Sequence, residues 1–294
     1  MARAGALLRR QTALTCASVP AISAGFSRIL DALRMTQPHA KQEIAIRHCG
    51  TLAEYEECVR IEHATWGEEI AVPSAVFVVA HHTGGQVLGA FDGAKMVGFT
   101  LALAGVRGGR AFLHSHMTAV LPEFRDRGIG RQLKLFQRQD ALKRGIELVE
   151  WTFDPLELKN AYFNFVRLGT IARRYISDCY GVTESPLHAG LPTDRLVAEW
   201  WLSSDRVRAI LADNPIPTRG AVVHVGVPSN LDELRANDRA AAARVQADAR
   251  EQFQKWFTKG YVATGIEARG ATTEYILEPA AGIAGLHLPA FVED

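Results

Sequence analysis

The spacing Arg125-x-x-Gly128-x-Gly130, with Arg127 and Arg131 set among the glycines, is suited to holding an anion. The two glycines let a backbone approach a phosphate with no Cβ in the way and tolerate unusual φ, while the arginines add positive potential. A second chemically capable group stands just upstream, His114-Ser-His116, followed by Met117-Thr-Ala-Val120. In a strand, alternate residues share a face, so His114, His116, Thr118 and Val120 are expected to point one way, and Leu113, Ser115, Met117 and Ala119 the other. Imidazoles, with an ordinary pKa of about 6.5, can take a proton near neutral pH.

These residues need a strand, a turn and a helix start in that order. Residues 111–120 read as a β-run, and Leu133, Leu135, Phe136 and Ala141 recur at roughly helical spacing after the glycines. The first N–H groups of a helix lack internal partners and the dipole there favours negative charge, so phosphate is the natural guest. The alternative is an ordinary glycine-containing helix N-terminus. Neither Gly-x-x-x-x-Gly-Lys-Ser/Thr nor a Gly-x-Gly-x-x-Gly opening a βαβ unit is present. The flanking pattern predicts a strand at 43–48, helices at 52–63 and 73–80, and strands at 87–91 and 96–104 joined through a turn in 91–95. A buried strand at 146–153 and a helix at 156–168 follow the motif helix. This is α/β alternation with antiparallel hairpins and one parallel crossover.

The motif and this order of elements resemble the GNAT superfamily of N-acetyltransferases, whose Arg/Gln-x-x-Gly-x-Gly/Ala turn binds the pyrophosphate of acetyl-coenzyme A. His-Ser-His-Met at 114–117, Trp-Thr-Phe-Asp-Pro-Leu at 151–156 and Leu-Pro-Thr-Asp-Arg-Leu at 191–196 are similar to a group of bacterial predicted GNAT acetyltransferases. The resemblance implies an α/β (α+β) fold with a mixed, mostly antiparallel, splayed sheet and helices on both faces. It implies acetyl-CoA as co-substrate, with Arg125, Asp126, Arg127, Gly128, Ile129, Gly130 and Arg131 cradling its phosphates. The backbone of Met117, Thr118, Ala119 and Val120 would pair with the pantetheine arm. Arylalkylamine N-acetyltransferases are similar here, and their His-x-His pair falls on His114 and His116, implying a base for an attacking amine. The alternative for either ring is a core histidine bonded to backbone.

The helix after the buried strand departs from the superfamily pattern Asn-x-x-Ala-x-x-x-Tyr-x-x-x-Gly. Aligned on Ala161 and Gly169, the asparagine position holds Leu158 and the tyrosine position Phe165. Asn160 and Asn164, four apart, share a helical face and can supply polar contacts instead. Tyr162 is the nearest phenol able to replace the missing acid, or a core aromatic with Phe163. Asp154 either serves the histidines or an ammonium, or caps the helix after Pro155.

Composition fits a globular enzyme: 294 residues, 48% hydrophobic, 22% charged and net charge +1. No basic block with interleaved aromatics points to nucleic acid, and no apolar run spans a bilayer. The four cysteines are scattered without metal-ligand spacing, so no metal is expected, and reduced thiols in a cytoplasmic protein are the reading. Residues 1–34 are Arg- and Ala-rich and precede Met35; an upstream start or a targeting segment are the alternatives, and 1–42 is treated as an extension. The principal domain is expected at 43–210. After a turn-rich connector, residues 220–294 read as a strand, a helix over 231–257 broken or capped near 230–233, and a hairpin, a lobe that can extend the main sheet. The expected partners are acetyl-CoA and an amine acceptor, with a homodimer allowed. Two function classes follow: an N-acyltransferase, or a binding module that holds acyl-coenzyme A as sensor or scaffold.

Overall fold

A computed structural model describes residues 43–67, 71–181, 190–214, 216 and 221–283; the calls on residues 1–42 lie outside them. Ten strands form a single sheet in the order β1-β2-β3-β4-β5-β7-β6-β9-β10-β8. The strands are β1 (Ala45–His48), β2 (Gln86–Asp92), β3 (Lys95–Arg107), β4 (Arg110–Val120), β5 (Leu148–Phe153), β6 (Ile171–Ile176), β7 (Arg195–Trp201), β8 (Val223–Pro228), β9 (Tyr261–Arg269) and β10 (Thr272–Pro279). Every neighbouring pair is antiparallel except β4 with β5.

Helix α1 (Leu52–Trp66) starts at a capping box in which Thr51 and Glu54 satisfy each other's backbone N–H groups. Together with α2 (Ser74–His82) it buries Tyr55, Cys58, Ile61, Phe77 and Ala80 against Val87, Phe99, Leu101 and Met117. The opposite face of β2 and β3 receives α3 (Ile129–Lys143), whose Ile129 and Leu133 pack on Leu88, Ala90 and Val97.

Two irregularities in β4 shape everything downstream. Leu101 pairs with Met117 and Ala102 with Ser115, which leaves His116 as an extra residue, a β-bulge. The bulge reverses the side-chain alternation. Leu113 faces the core beneath α3, whereas Met117 and Ala119 join the α1/α2 cluster. Thr118 instead meets Thr100 at 3.1 Å, and Val120 packs with Ile129. The strict alternation expected from the sequence therefore fails: Thr118 and Val120 do not share the His114 face. The second irregularity is that β4 and β5 pair only at Leu113–Val149 and His114–Glu150. Beyond those rows β4 stays bonded to β3 and β5 to β7, so the facing edges splay apart.

The expected helix over 156–168 is a short α4 (Leu158–Tyr162) that continues as a π turn, Phe163–Leu168, ending at Gly169 with φ 80°. Strand β6 and α5 (Asp205–Leu211) were not foreseen, and β7 lies between β5 and β6. The helical stretch 231–257 starts at the expected cap position, Asn230, and divides further on, at Asp238. Its carboxylate accepts from Ala241 N at 2.9 Å and starts α7 (Arg239–Phe257) after α6 (Leu231–Asn237). The C-terminal strands join the main sheet where Ala172 pairs with Ala263. An aromatic chain crosses this junction, with ring centroids 5.9 Å apart for Phe153–Phe165, 6.0 Å for Phe165–Tyr275 and 5.0 Å for Phe253–Tyr275.

Because one sheet and one core unite both halves, Phe253→Ala is expected to cost about 3–5 kcal/mol. Urea unfolding followed by circular dichroism and tryptophan fluorescence should stay a single transition; two resolved transitions would show that the lobe folds separately.

Candidate active site

Gly128 caps α3 in the left-handed region at φ 76° and makes no side-chain cap bond, and Asp126 before it also has positive φ, 61°. The first backbone bond of the helix runs from Gln132 N to Gly128 O, 3.0 Å, so the preceding N–H groups are open. A Cβ built on Gly128 or Gly130 would meet nothing within 4 Å, so the space in front of these N–H groups is clear. Arg125 Nε donates to Val120 O at 3.2 Å, and Arg127 donates to Glu123 O at 2.8 Å while lying over Phe124. Arg131 has a buried Nε with no partner among the described residues.

This turn forms one wall of a cleft of about 340 Å³. Val120, Arg125, Gly128, Gly130 and Arg131 stand on that wall, and Lys159, Tyr162, Phe163 and Arg167 on the other. Four cations thus flank one groove at a helix start, an arrangement that stabilises a polyanion. Lys159 and Arg167 were missed in the sequence because single charges on a helical segment carry no motif of their own.

Val120 belongs to both the cleft and the free edge of β4. Along that edge stand the two imidazoles, His114 in the last paired row and His116 on the bulge just beyond it, with ring centroids 6.3 Å apart. His116 keeps an exposed edge; burial of the rest of the ring and the neighbouring His114 lower its pKa. The Nδ1 of His114 lies 3.8 Å from Glu150 Oε1 on β5. Burial alone would raise the pKa of Glu150. Hydrogen bonds from Arg107, at 2.8 and 2.9 Å, the neighbouring His114 and the charge of Arg174 hold it well below the carboxylate range. Glu150 is therefore an anion beside His114. Its signal in the sequence was a lone charge inside the apolar run Val149-Glu150-Trp151.

The remaining expected residues are dispersed. Tyr162 lines the cleft, whereas Phe165 is fully buried. Asn160 is exposed and does not line the cleft; Asn164 is buried, accepts from Trp151 Nε1 at 3.3 Å and leaves its Nδ2 unpartnered among the described residues. Asp154 accepts from Leu156 N at 2.8 Å and pairs with Arg235 of α6 at 2.8 Å, away from the imidazoles. On the α3 side, Lys134 is buried and was likewise missed, a lone charge between Leu133 and Leu135 in the sequence. Cys49, Cys58 and Cys179 are free thiols. Among the described residues one group, His224, Glu267 and Glu274, brings three metal-capable atoms together, on the outer strands of the C-terminal lobe, where Arg269 already pairs with both carboxylates. No helix of the described residues is long and apolar enough to cross a membrane.

No family model matches the sequence, and no curated protein matches it. Solved structures similar to part of the chain include the ribosomal-protein-S18-alanine N-acetyltransferase of Escherichia coli. It is 17% identical over 55% of this chain and 95% of its own, with a TM-score of 0.44. A Desulfovibrio desulfuricans protein of the GNAT family is 15% identical over 55% of this chain and 100% of its own, with a TM-score of 0.43. A Salmonella typhimurium protein solved with its cofactor acetyl-CoA is 17% identical over 55% of this chain and 95% of its own, with a TM-score of 0.46.

The site geometry makes two checks. The His116 ring should titrate below about 6.5 by NMR, and His114→Gln should move it upward by removing the neighbouring charge; an unchanged value would mean the rings do not interact. Phe165→Tyr should place an unpaired hydroxyl in the core and cost about 1–3 kcal/mol in urea unfolding.

Proposed function

We propose that the protein is an acetyl-CoA-dependent N-acyltransferase, carrying an acetyl group to a primary amine of a small-molecule or peptide acceptor. The amine attacks the thioester directly. One observation carries this reading: the anion cradle, the cleft and the free strand edge form a continuous track through Val120 that ends beside the two imidazoles.

The chemistry follows the track. The open N–H groups at Gly128–Arg131 and the surrounding cations suit a pyrophosphate, and the free edge of Met117–Val120 suits the amides of a pantetheine arm lying as a substitute strand. An N–H of that edge can also polarise the thioester carbonyl. The acceptor ammonium must lose a proton before attack. His116, with its lowered pKa, is largely neutral at pH 7 and can take it, directly or through water. With the proton of neutral His114 on Nδ1, the nitrogen nearer the Glu150 carboxylate, the Nε2 lone pair of that ring is left as a second acceptor. A protein that only bound acyl-coenzyme A would have no use for titratable rings at this end of the groove.

Calorimetry with coenzyme A and mass detection of product on an amine panel test the reading. Gly128→Asp should weaken coenzyme A binding at least about 10-fold, because a carboxylate then stands beside phosphate in a strained left-handed backbone. Gly130→Asp removes the strain argument and should weaken it through charge and bulk; parental affinity in both would remove the phosphate site. His114→Ala/His116→Ala should lower kcat/KM by about 10²- to 10⁴-fold with coenzyme A affinity retained. A neutral base is needed, so the parent's kcat/KM should fall as pH drops below the histidine pKa, and that limb should vanish in the double variant.

A further inference from the structure

Acyl transfer from a thioester needs two proton movements, one off the amine and one onto the departing sulfur. The histidines lie on the α1/α2 face of the sheet. On the α3 face, at the same level, the splay of β4 from β5 closes on a single amine. The first residues beyond the last paired row are Ser115 and Trp151. Lys134 Nζ touches both: it donates to Ser115 Oγ at 2.7 Å and lies 3.9 Å from the centre of the Trp151 ring. Gln137 Oε1, one turn along α3, takes another N–H at 3.1 Å.

We propose that Lys134 protonates the departing thiolate of coenzyme A, from the face of the sheet opposite the histidines. This rests on the acyltransfer reading above. The cleft that suits the phosphates lies at the start of α3 and includes Val120, so a thiol arm laid from it along the free edge of β4 would reach the vertex where Lys134 meets Ser115, while His114 stands on the opposite face beside Glu150. The step balances. The amine nitrogen bonds to the carbonyl carbon as its proton passes to an imidazole. The tetrahedral carbon then re-forms C=O and breaks its C–S bond, the electron pair leaves on sulfur, and the Nζ–H proton follows it. Lysine is left neutral and both side chains re-equilibrate with solvent.

Three further observations fit an incoming sulfur. Among the described residues no carboxylate pairs with the amine: of the other charged residues of α3, Arg131 lines the cleft, Arg138 bonds Leu202 O, Asp140 is held by His48, Gln86 and Arg144, and Lys143 is exposed at the helix end. Glu150 and its arginines belong to the histidine face, so the groups that meet Nζ are Ser115, Gln137 and Trp151. A thiolate would be its first counter-ion. Two buried amide donors on the neighbouring side chains, Gln137 Nε2 and, bonded to Trp151, Asn164 Nδ2, have no acceptor among the described residues. Finally, burial without a counter-charge draws the Lys134 pKa down to about 7. That makes it a stronger acid than a thiol of ordinary pKa, about 8.5, so the transfer runs downhill.

The first test needs no acceptor. Titration of the thiol of bound coenzyme A, followed by thiolate ultraviolet absorbance, should show thiolate appearing only after Lys134 has lost its proton, with no lowering from the value of free coenzyme A, because the amine beside it is by then neutral. Lys134→Met should leave the thiol pKa near the parent's while calorimetry shows retained binding. Lys134→Arg, which keeps the charge but cannot release its proton, should lower the thiol pKa by leaving a fixed cation beside the sulfur. In turnover, both variants should lose on the order of 10²-fold in kcat with acetyl-CoA, and most of the deficit should disappear with phenyl thioacetate, whose thiolate leaves without a proton. The parent's alkaline fall in kcat should be absent from both variants. A thiol pKa that Lys134→Arg leaves at the parent's value, or an equal deficit on both donors, would overturn the role of Lys134. Absence of coenzyme A binding or of any acylated amine from the parent would instead overturn the function on which it rests.

Discussion

The incomplete pairing of β4 with β5 is the constraint on which the rest of the structure depends. Two strands that remain fully laddered to their outer neighbours meet in only two rows, because each is already committed to a sheet half whose twist carries it away from the other. Buried backbone groups without partners each cost about 1–3 kcal/mol, so an open edge persists only where solvent or a bound chain can satisfy it. The bulge at His116 completes the geometry. By reversing the alternation immediately past the last paired row, it puts His114 and Met117 on one face and Ser115 and Thr118 on the other. A regular strand would have carried one chemistry along each face; the bulged strand changes chemistry at the vertex.

Charges near that vertex are handled in two opposite ways. On the histidine face Glu150 is buried but surrounded by guanidinium groups, so it stays ionised and can hold an imidazole in one orientation. On the α3 face Lys134 is buried with neutral partners only, so its proton is loosely held. The contrast is one of neighbours rather than depth, since both residues are nearly inaccessible. A carboxylate fixed as an anion and an ammonium poised to release a proton are what a site performing two proton movements requires on its two sides.

Much of this was legible in the sequence, and the parts that were not have physical reasons. The glycine turn, its arginines and the strand-turn-helix order depend on local backbone demands, which residue types report directly, and the same holds for the hairpins of the first half. The bulge has no such signal: His116 is neither glycine nor flanked by one, and its status is set by the register of Leu101 and Ala102 on another strand. Lys134 and Glu150 were visible only as charges in apolar runs, and their partners arrive from distant elements. Strand β6 escaped because Ile171-Ala-Arg-Arg-Tyr-Ile176 interrupts its alternation with adjacent arginines, which Glu150 and Glu199 compensate. The departure at Phe165 was seen, but its meaning waited for the aromatic core that encloses it.

The C-terminal lobe acts on the cleft through one short turn. Residues 154–157 join β5 to α4, and three contacts from the lobe grip them: Arg235 pairs with Asp154 at 2.8 Å and with Glu157, and the Tyr275 hydroxyl donates to Pro155 O. From this turn α4 and its π extension carry Lys159, Tyr162, Phe163 and Arg167 to the cleft, while Phe165 locks the same segment onto Phe153 and Tyr275. The extra residue of the π turn lets one short helix do both, presenting cations outward to the groove and an aromatic inward to the core. Asp154 and Phe165 thus tie the lobe to the wall that faces the glycine turn, so the placement of that wall depends on contacts made on its far side.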